Sequence, residues 1–146
     1  MGQYHYVVNL TKKQYLHPHQ LGDGLKLWEQ LNSEGGTMAA LLILLACSNG
    51  RGGGDIEPHP LVGAWAGDQI AVVGDYAEDR DLPPQFRAST IYEKCEDGDA
   101  YENITDQVKP LVEKACSVAI TGEGWRDKTA RRAMRPDMIV TLPTDR

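Results

Sequence analysis

The feature that most restricts the fold is an apolar run from Met38 to Cys47. Crossing a bilayer takes roughly 20 apolar residues, so this run is too short to indicate a membrane protein. Gly35-Gly36 interrupts the chain before the run, and Thr37 is suited to cap a helix. Because such a helix is apolar on every face, the sequence predicts a central helix, Met38–Ala46, covered on more than one side.

Composition, charge and cysteine content indicate an ordinary globular chain. Its 146 residues fit a single domain over residues 1–146, and its 41% hydrophobic and 25% charged residues are close to typical usage. The chain opens without the pattern of a signal peptide, and Cys47, Cys95 and Cys116 form no CxxC pair. These features favour a reduced, cytoplasmic location. The net charge of −6 disfavours general nucleic-acid binding.

Alternating and β-branched segments predict a mainly antiparallel sheet. Tyr4, Tyr6, Val8 and Leu10 alternate with their neighbours, as in a strand with one buried face. A returning segment at 15–17 completes a β-hairpin. The other predicted strands are Leu61–Trp65 and Gln69–Tyr76, which form a second hairpin, then Thr90–Lys94 and Asp137–Leu142.

Helical spacing predicts about three helices, including the apolar one. An apolar stripe from Val108 to Cys116 has the spacing of one helix face, although Pro110 fits best within a first turn. Leu25–Leu31 is a short helical candidate, and Trp125–Met134 is a longer one. The order of strands and helices favours an α+β fold over an alternating parallel fold.

Histidines concentrate at one place in the sequence. His17 and His19 flank a proline, Asp23 follows shortly, and His59 lies between two prolines. Imidazoles and a carboxylate are ligands for zinc or a similar divalent ion. The alternative is that these are surface histidines in proline-rich turns, with no cofactor.

A glycine-rich segment follows the apolar helix. Its residues are Arg51, Gly52, Gly53, Gly54 and Asp55. Bare backbone amides and an arginine fork suit a phosphate group. Phosphate-binding loops usually lead into a helix N-terminus, however, and this one follows a helix. A flexible connection is therefore the alternative to a ligand loop.

A basic segment contrasts with the acidic chain. Five basic residues and one acidic residue between Arg126 and Arg135 give it a charge of +4. On a helix, Lys128, Arg131, Arg132 and Arg135 would form one stripe. The stripe could bind phosphate or an acidic protein surface. Alternatively, it pairs with the chain's own acidic loops, Asp75–Asp81 and Glu93–Glu102.

An aromatic residue and an acid lie close together in two segments, Trp65-Ala66-Gly67-Asp68 and Gly74-Asp75-Tyr76, which could line a pocket. Trp65 could stack on a ligand ring while Asp68 binds a polar edge. Turn carboxylates also accept local backbone amides, which is the structural alternative for Asp68.

Three stretches carry a family resemblance: the opening MGQYHYVVNLTKKQYLHPHQLGDGLKL, the GRGGGD loop and WAGDQIAVVGDYA. They resemble a family of small uncharacterised proteins from bacteria and their phages. The resemblance implies no activity and no catalytic residues. It raises the expectation of an accessory, defence or counter-defence role.

The sequence predicts a non-enzymatic binding or regulatory protein. It would recognise a partner protein or a phosphate-bearing ligand through the glycine segment and the basic stripe. One alternative is a metal-dependent phosphoester hydrolase that uses the His17 and His19 cluster, with Asp55 as base. Another is a structural subunit of a larger assembly. The oligomeric state is left open.

Overall fold

The alternating segment at the start of the chain forms the centre of a four-stranded sheet. The computed structural model describes residues 2–31, 33–48, 56–98 and 100–121. The strands are β1 (His5–Asn9), β2 (Gln14–Leu16), β3 (Ile70–Gly74) and β4 (Glu102–Asn103). The α-helices of this part of the chain are α1 (Thr37–Leu45), α2 (Ala88–Asp97) and α3 (Thr105–Thr121). Short 3-10 helices occur at Pro18–Leu21, Leu27–Leu31, Asp79–Asp81 and Pro84–Phe86.

The strand order in the sheet is β3-β1-β2-β4. β1 pairs in antiparallel fashion with both β2 and β3, and β2 pairs in parallel with β4. The predicted α+β class is confirmed, and the first hairpin forms as expected. β3 lies at one edge of this sheet.

Helices cover the two faces of the sheet because side chains alternate along each strand. Val7 and Leu16 point to one face, where they join a core cluster with Leu44 of α1 and Val108 of α3. Tyr6, Val8 and Tyr15 point to the other face. There they pack in a second cluster that includes Ile91, Tyr92 and Cys95 of α2.

The apolar helix is not covered on all sides. α1 begins at Thr37, and Leu42 in its middle is 71% exposed. The prediction of a fully covered central helix is therefore not confirmed. Thr37 is not the cap either, because Gly36 occupies that position. The carboxylate of Asp23 accepts the backbone N–H of Thr37 at 2.7 Å and so satisfies one free donor of the first turn.

The predicted strand Leu61–Trp65 is wrong, since this segment consists of turns. The N–H of Gly63 donates to the carbonyl of Ile43 at 2.9 Å, and that of Trp65 donates to the carbonyl of Leu44 at 2.8 Å. These bonds satisfy carbonyls at the end of α1, which a helix leaves without partners. β3 consequently pairs with β1 instead of forming a second hairpin.

The predicted strand Thr90–Lys94 is also wrong, because it lies within α2. Ala88, Ile91, Tyr92 and Cys95 are the buried residues of this helix, and they have the spacing of one helix face.

The remaining elements agree with the sequence in part. The short helix at 25–31 is the 3-10 helix Leu27–Leu31, and the predicted stripe at 108–116 lies on α3 with Pro110 inside the helix. The predicted helix Trp125–Met134 and strand Asp137–Leu142 lie outside the described residues. Among the helices that the structure describes, none has the length and apolar character needed to span a membrane.

Candidate functional site

The free edge of β3 is one place where the described fold leaves backbone hydrogen-bonding groups without partners. The N–H of Leu10 donates to the carbonyl of Gln69 at 2.8 Å, and the N–H of Asp75 donates to the carbonyl of Tyr4 at 2.9 Å. These two bonds set the phase of the antiparallel ladder, in which bonded and non-bonded pairs alternate. Ala71 and Val73 therefore direct their backbone groups toward β1.

The alternate residues Ile70, Val72 and Gly74 direct their backbone groups away from the sheet, as follows from the register. The carbonyl of Gly74 accepts the N–H of Ala77 at 3.1 Å. No described residue bonds to the outward N–H or carbonyl of Val72. The Val72 side chain is 45% exposed. Val72 thus offers one donor and one acceptor at an accessible edge.

A shallow groove of about 220 Å³ lies along this edge. We call it the β3 groove. Its apolar lining includes Val72, Ala77, Leu82 and Ala88, and its polar lining includes Gln3, His5 and Asp81. The lining is about as polar as it is apolar, and the volume lies below the roughly 300–1,000 Å³ of small-molecule sites, so the groove is not a typical small-molecule pocket.

His5, one of the residues that line the β3 groove, has a polar atom without a hydrogen-bond partner. Its Nδ1 is buried and makes no hydrogen bond within the described part of the chain. Buried polar atoms in native proteins nearly always have a partner. Because Nδ1 has almost no accessible surface, a ligand in the groove would reach it only if the ring turned.

An acidic loop, residues 75–81, follows β3 directly. Four acidic side chains and one arginine leave this loop with a net charge of −3. Three of the carboxylates are fixed by backbone amides, because Asp75 accepts from Tyr4 at 3.1 Å, Asp79 from Ser89 at 3.0 Å and Asp81 from Glu78 at 2.8 Å. Glu78 pairs with Arg80 at 2.7 Å, but both side chains are exposed. The loop is therefore ordered and still strongly negative.

Hydrogen bonds lower the pKa of Asp79 below its ordinary value. The largest effect comes from the hydroxyl of Ser89, followed by the Ser89 amide, and Arg87 adds an electrostatic contribution. Asp79 is thus charged at neutral pH. No salt bridge joins Asp75, Asp79 or Asp81 to a basic side chain among the described residues.

Two exposed aromatic side chains adjoin the acidic end of the groove. Tyr4 is 46% exposed and bonds to Asp75 through its backbone in both directions. Tyr76, the next residue in the loop, is 66% exposed. Aromatic faces next to carboxylates suit a cationic side chain.

The histidines predicted to bind metal do not form a metal site. The rings of His17 and His19 are 5.5 Å apart, Asp23 binds the amide of Thr37, and His59 accepts the amide of Leu61. No group of three or more histidine, cysteine, aspartate or glutamate side chains is placed to hold a metal ion in the part of the chain that is described, which includes all four predicted ligands. Asp23 and His59 instead accept backbone amides in separate parts of the fold, at the start of α1 and in the turn at Leu61.

Trp65 and Asp68 are structural in this fold. Trp65 is completely buried and donates from its indole N–H to Gln14 at 2.9 Å, so it cannot stack on a ligand. Asp68 accepts from the Asn9 amide at 2.8 Å and from the Lys12 ammonium at 2.5 Å. Asp68 therefore has a structural role, but through distant side chains and not through the local backbone amides expected from the sequence.

The glycine segment and the basic stripe lie outside the described residues. These are Arg51, Gly52, Gly53, Gly54 and Asp55, and Lys128, Arg131, Arg132 and Arg135. Their predicted roles stay predictions.

Titratable groups on the α2 side of the sheet are held in their neutral forms. Burial raises the pKa of the Cys95 thiol to about 12, and Glu96 adds to this effect. Burial is also the main cause that raises the pKa of Tyr6, whose ring stacks on Tyr92 at 4.6 Å. Burial, then His19, lowers the pKa of His17. A protonated thiol and protonated phenols are poor nucleophiles.

Comparisons with known proteins identify no relative: no family model, no curated protein and no solved structure matches this chain. The resemblance to small bacterial and phage proteins therefore stays a prediction.

Proposed function

We propose that this protein is a small non-enzymatic binding protein that recognises a partner protein by adding an extended segment of the partner to β3. The observation that carries the proposal is the pair of unpartnered outward backbone groups of Val72, next to the β3 groove. Extended peptides commonly bind by adding a strand to an open sheet edge, where main-chain bonds give affinity and pockets give specificity.

Features of β3 support the view that this edge binds a partner segment and is not simply an unpaired strand. Native proteins commonly blunt exposed edges with proline, lysine, a bulge or a covering element. Residues 70–74 contain neither proline nor lysine, and each residue pairs in regular register with β1.

The test uses two variants at one position. Val72→Pro removes the outward N–H, and proline is tolerated at an edge because no internal ladder bond is lost. Val72→Thr keeps the N–H and the β-branched shape, and it serves as the matched control. Displayed random heptapeptides would be selected on the natural chain and then measured on both variants.

We expect selected peptides to bind the threonine variant within a few-fold of the natural chain, and the proline variant at least about tenfold more weakly, a loss of about 1.4 kcal/mol. Thermal unfolding of both variants checks that they fold. Failure to select any peptide, or equal binding to the folded proline variant, would contradict the proposal.

A further inference from the structure

The acidic loop lies at one end of the proposed binding edge and carries a net charge of −3. The acidic loop begins directly after Gly74, and Asp81 lines the β3 groove itself. Asp75 lies three residues after Val72, which is about 10 Å along an extended chain. A segment paired with Val72 therefore reaches the loop within a few residues.

The carboxylates of the loop keep their charge while their positions are fixed. Backbone amides hold Asp75, Asp79 and Asp81, and these bonds leave other lone pairs of each carboxylate available. Preorganised acceptors bind a cation without further loss of side-chain freedom. Such a loop favours lysine or arginine.

From this charge arrangement we infer that the natural occupant of the β3 edge is an extended segment that carries lysine or arginine at the end next to the acidic loop. The inference rests on the proposed function and names the chemistry of the partner. Tyr4 and Tyr76, both exposed, offer aromatic faces for the same cationic side chains.

A second copy of this chain is a poorer occupant. Two β3 strands paired in antiparallel fashion about Val72 would each bring an acidic loop of charge −3 toward the end of the other strand that carries Asp68. Lys12 is the basic group there, and it is already bonded to Asp68. Each chain also carries a net charge of −6, so association would be opposed by repulsion.

The experiment measures heptapeptides of alternating threonine and valine. One peptide carries two lysines at its N-terminal end, a second carries them at its C-terminal end, and a third and fourth carry glutamates instead. Binding is followed by fluorescence anisotropy at low salt and at about 0.5 M NaCl, where the Debye length is only a few ångströms. An antiparallel strand prefers the N-terminal lysines, and a parallel strand the C-terminal ones.

Charge is tested on the protein with matched double variants. Asp79→Asn with Asp81→Asn removes two charges from the loop and keeps an amide oxygen to accept each backbone bond. Glu34→Gln with Glu113→Gln removes two charges from exposed positions elsewhere. Thermal unfolding confirms that both double variants are folded.

We expect one lysine peptide to bind at least about fivefold to tenfold more tightly than its glutamate counterpart at low salt, with the difference shrinking at high salt. The loop variant should lose this preference and the control should keep it. If lysine and glutamate peptides bound equally well, and Val72→Pro weakened both, the inference would be overturned and the proposed function would stand. No binding by any peptide would overturn both. A dimer in light scattering that Val72→Pro abolishes would make a second copy the occupant.

Discussion

Val7 and Val72 are direct partners in the register of β1 and β3, yet Val7 is completely buried and Val72 is 45% exposed. Both side chains point to the face of the sheet that α1 and α3 cover. α1 and α3 cover the central strand β1 but leave Val72 of the edge strand β3 partly exposed. The side chain of Val72 is therefore accessible beside the outward backbone groups of the same residue.

The two valines predict unequal effects on stability. Val7→Ala removes buried methyl groups beside a core cluster, so we expect the free energy of unfolding to fall by about 2–3 kcal/mol. Val72→Ala should cost at most about 1 kcal/mol, because the side chain is half exposed. Urea unfolding of both variants makes the comparison. Equal losses would mean that the edge is covered in solution.

Much of the first hairpin could be predicted, whereas the exposed edge could not. The alternation of Tyr6 and Val8 indicates a buried strand from local pattern alone. The exposure of Val72 depends on which strand β3 joins, and that choice is made by residues far apart in sequence. The local pattern at 61–65 predicts a strand. The turn that forms there instead depends on hydrogen bonds from its amides to the end of α1, a tertiary contact without a local signal.

The hydrogen bond from the Thr37 amide to Asp23, at the start of α1, leads us to expect a second effect on the free energy of unfolding. Asp23→Ala leaves the buried amide of Thr37 without its acceptor, which should cost about 1–3 kcal/mol. Asp23→Asn keeps an oxygen acceptor of the same shape and should cost less. Urea unfolding would measure both variants. A loss as large for asparagine as for alanine would show that the negative charge, and not the hydrogen bond, matters.

The candidate site was only partly accessible to sequence reasoning. The acidic loop is visible in the composition of residues 75–81, but the only role that the sequence suggests for the whole loop is the alternative one of pairing with the basic stripe. Val72 carries no distinguishing pattern, since its exposure follows from the edge position of β3. The spacing of Ala88, Ile91 and Cys95 is that of one helix face and is visible in the sequence. The short segment at 90–94 instead predicts a strand, and the two patterns conflict.

Asp68 predicts a pH dependence of stability. Bonds from Asn9, then from Lys12, lower the pKa of Asp68 below its ordinary 3.8. Because the folded pKa is lower than the unfolded one, the contribution is fully present above the unfolded pKa and is lost as the pH falls through the folded pKa. Urea midpoints between about pH 6 and pH 3 should decline less for Asp68→Asn than for the natural chain. Parallel declines would show that the bonds do not form.

The cysteines predict selective labelling. Cys47 is exposed, whereas Cys95 is buried and its pKa is raised to about 12. Iodoacetamide reacts with thiolates, so Cys47 should be alkylated at mildly alkaline pH and Cys95 only after unfolding in urea. Mass spectrometry of the peptides locates the label. A Cys47→Ser, Cys116→Ser variant isolates Cys95, and rapid labelling of that folded variant would contradict the packing of α2 on the sheet.

Strand addition at β3 requires that the N–H of Val72 is open in the free protein and bonded in the complex. Residue-resolved amide hydrogen exchange by nuclear magnetic resonance tests it with the lysine heptapeptides as probes. In the free protein, the amides of Ala71 and Val73 should be protected and that of Val72 should exchange rapidly, and saturating peptide should slow Val72. A Val72 amide that is already protected in the free protein, or that is unchanged at saturation, would contradict the account.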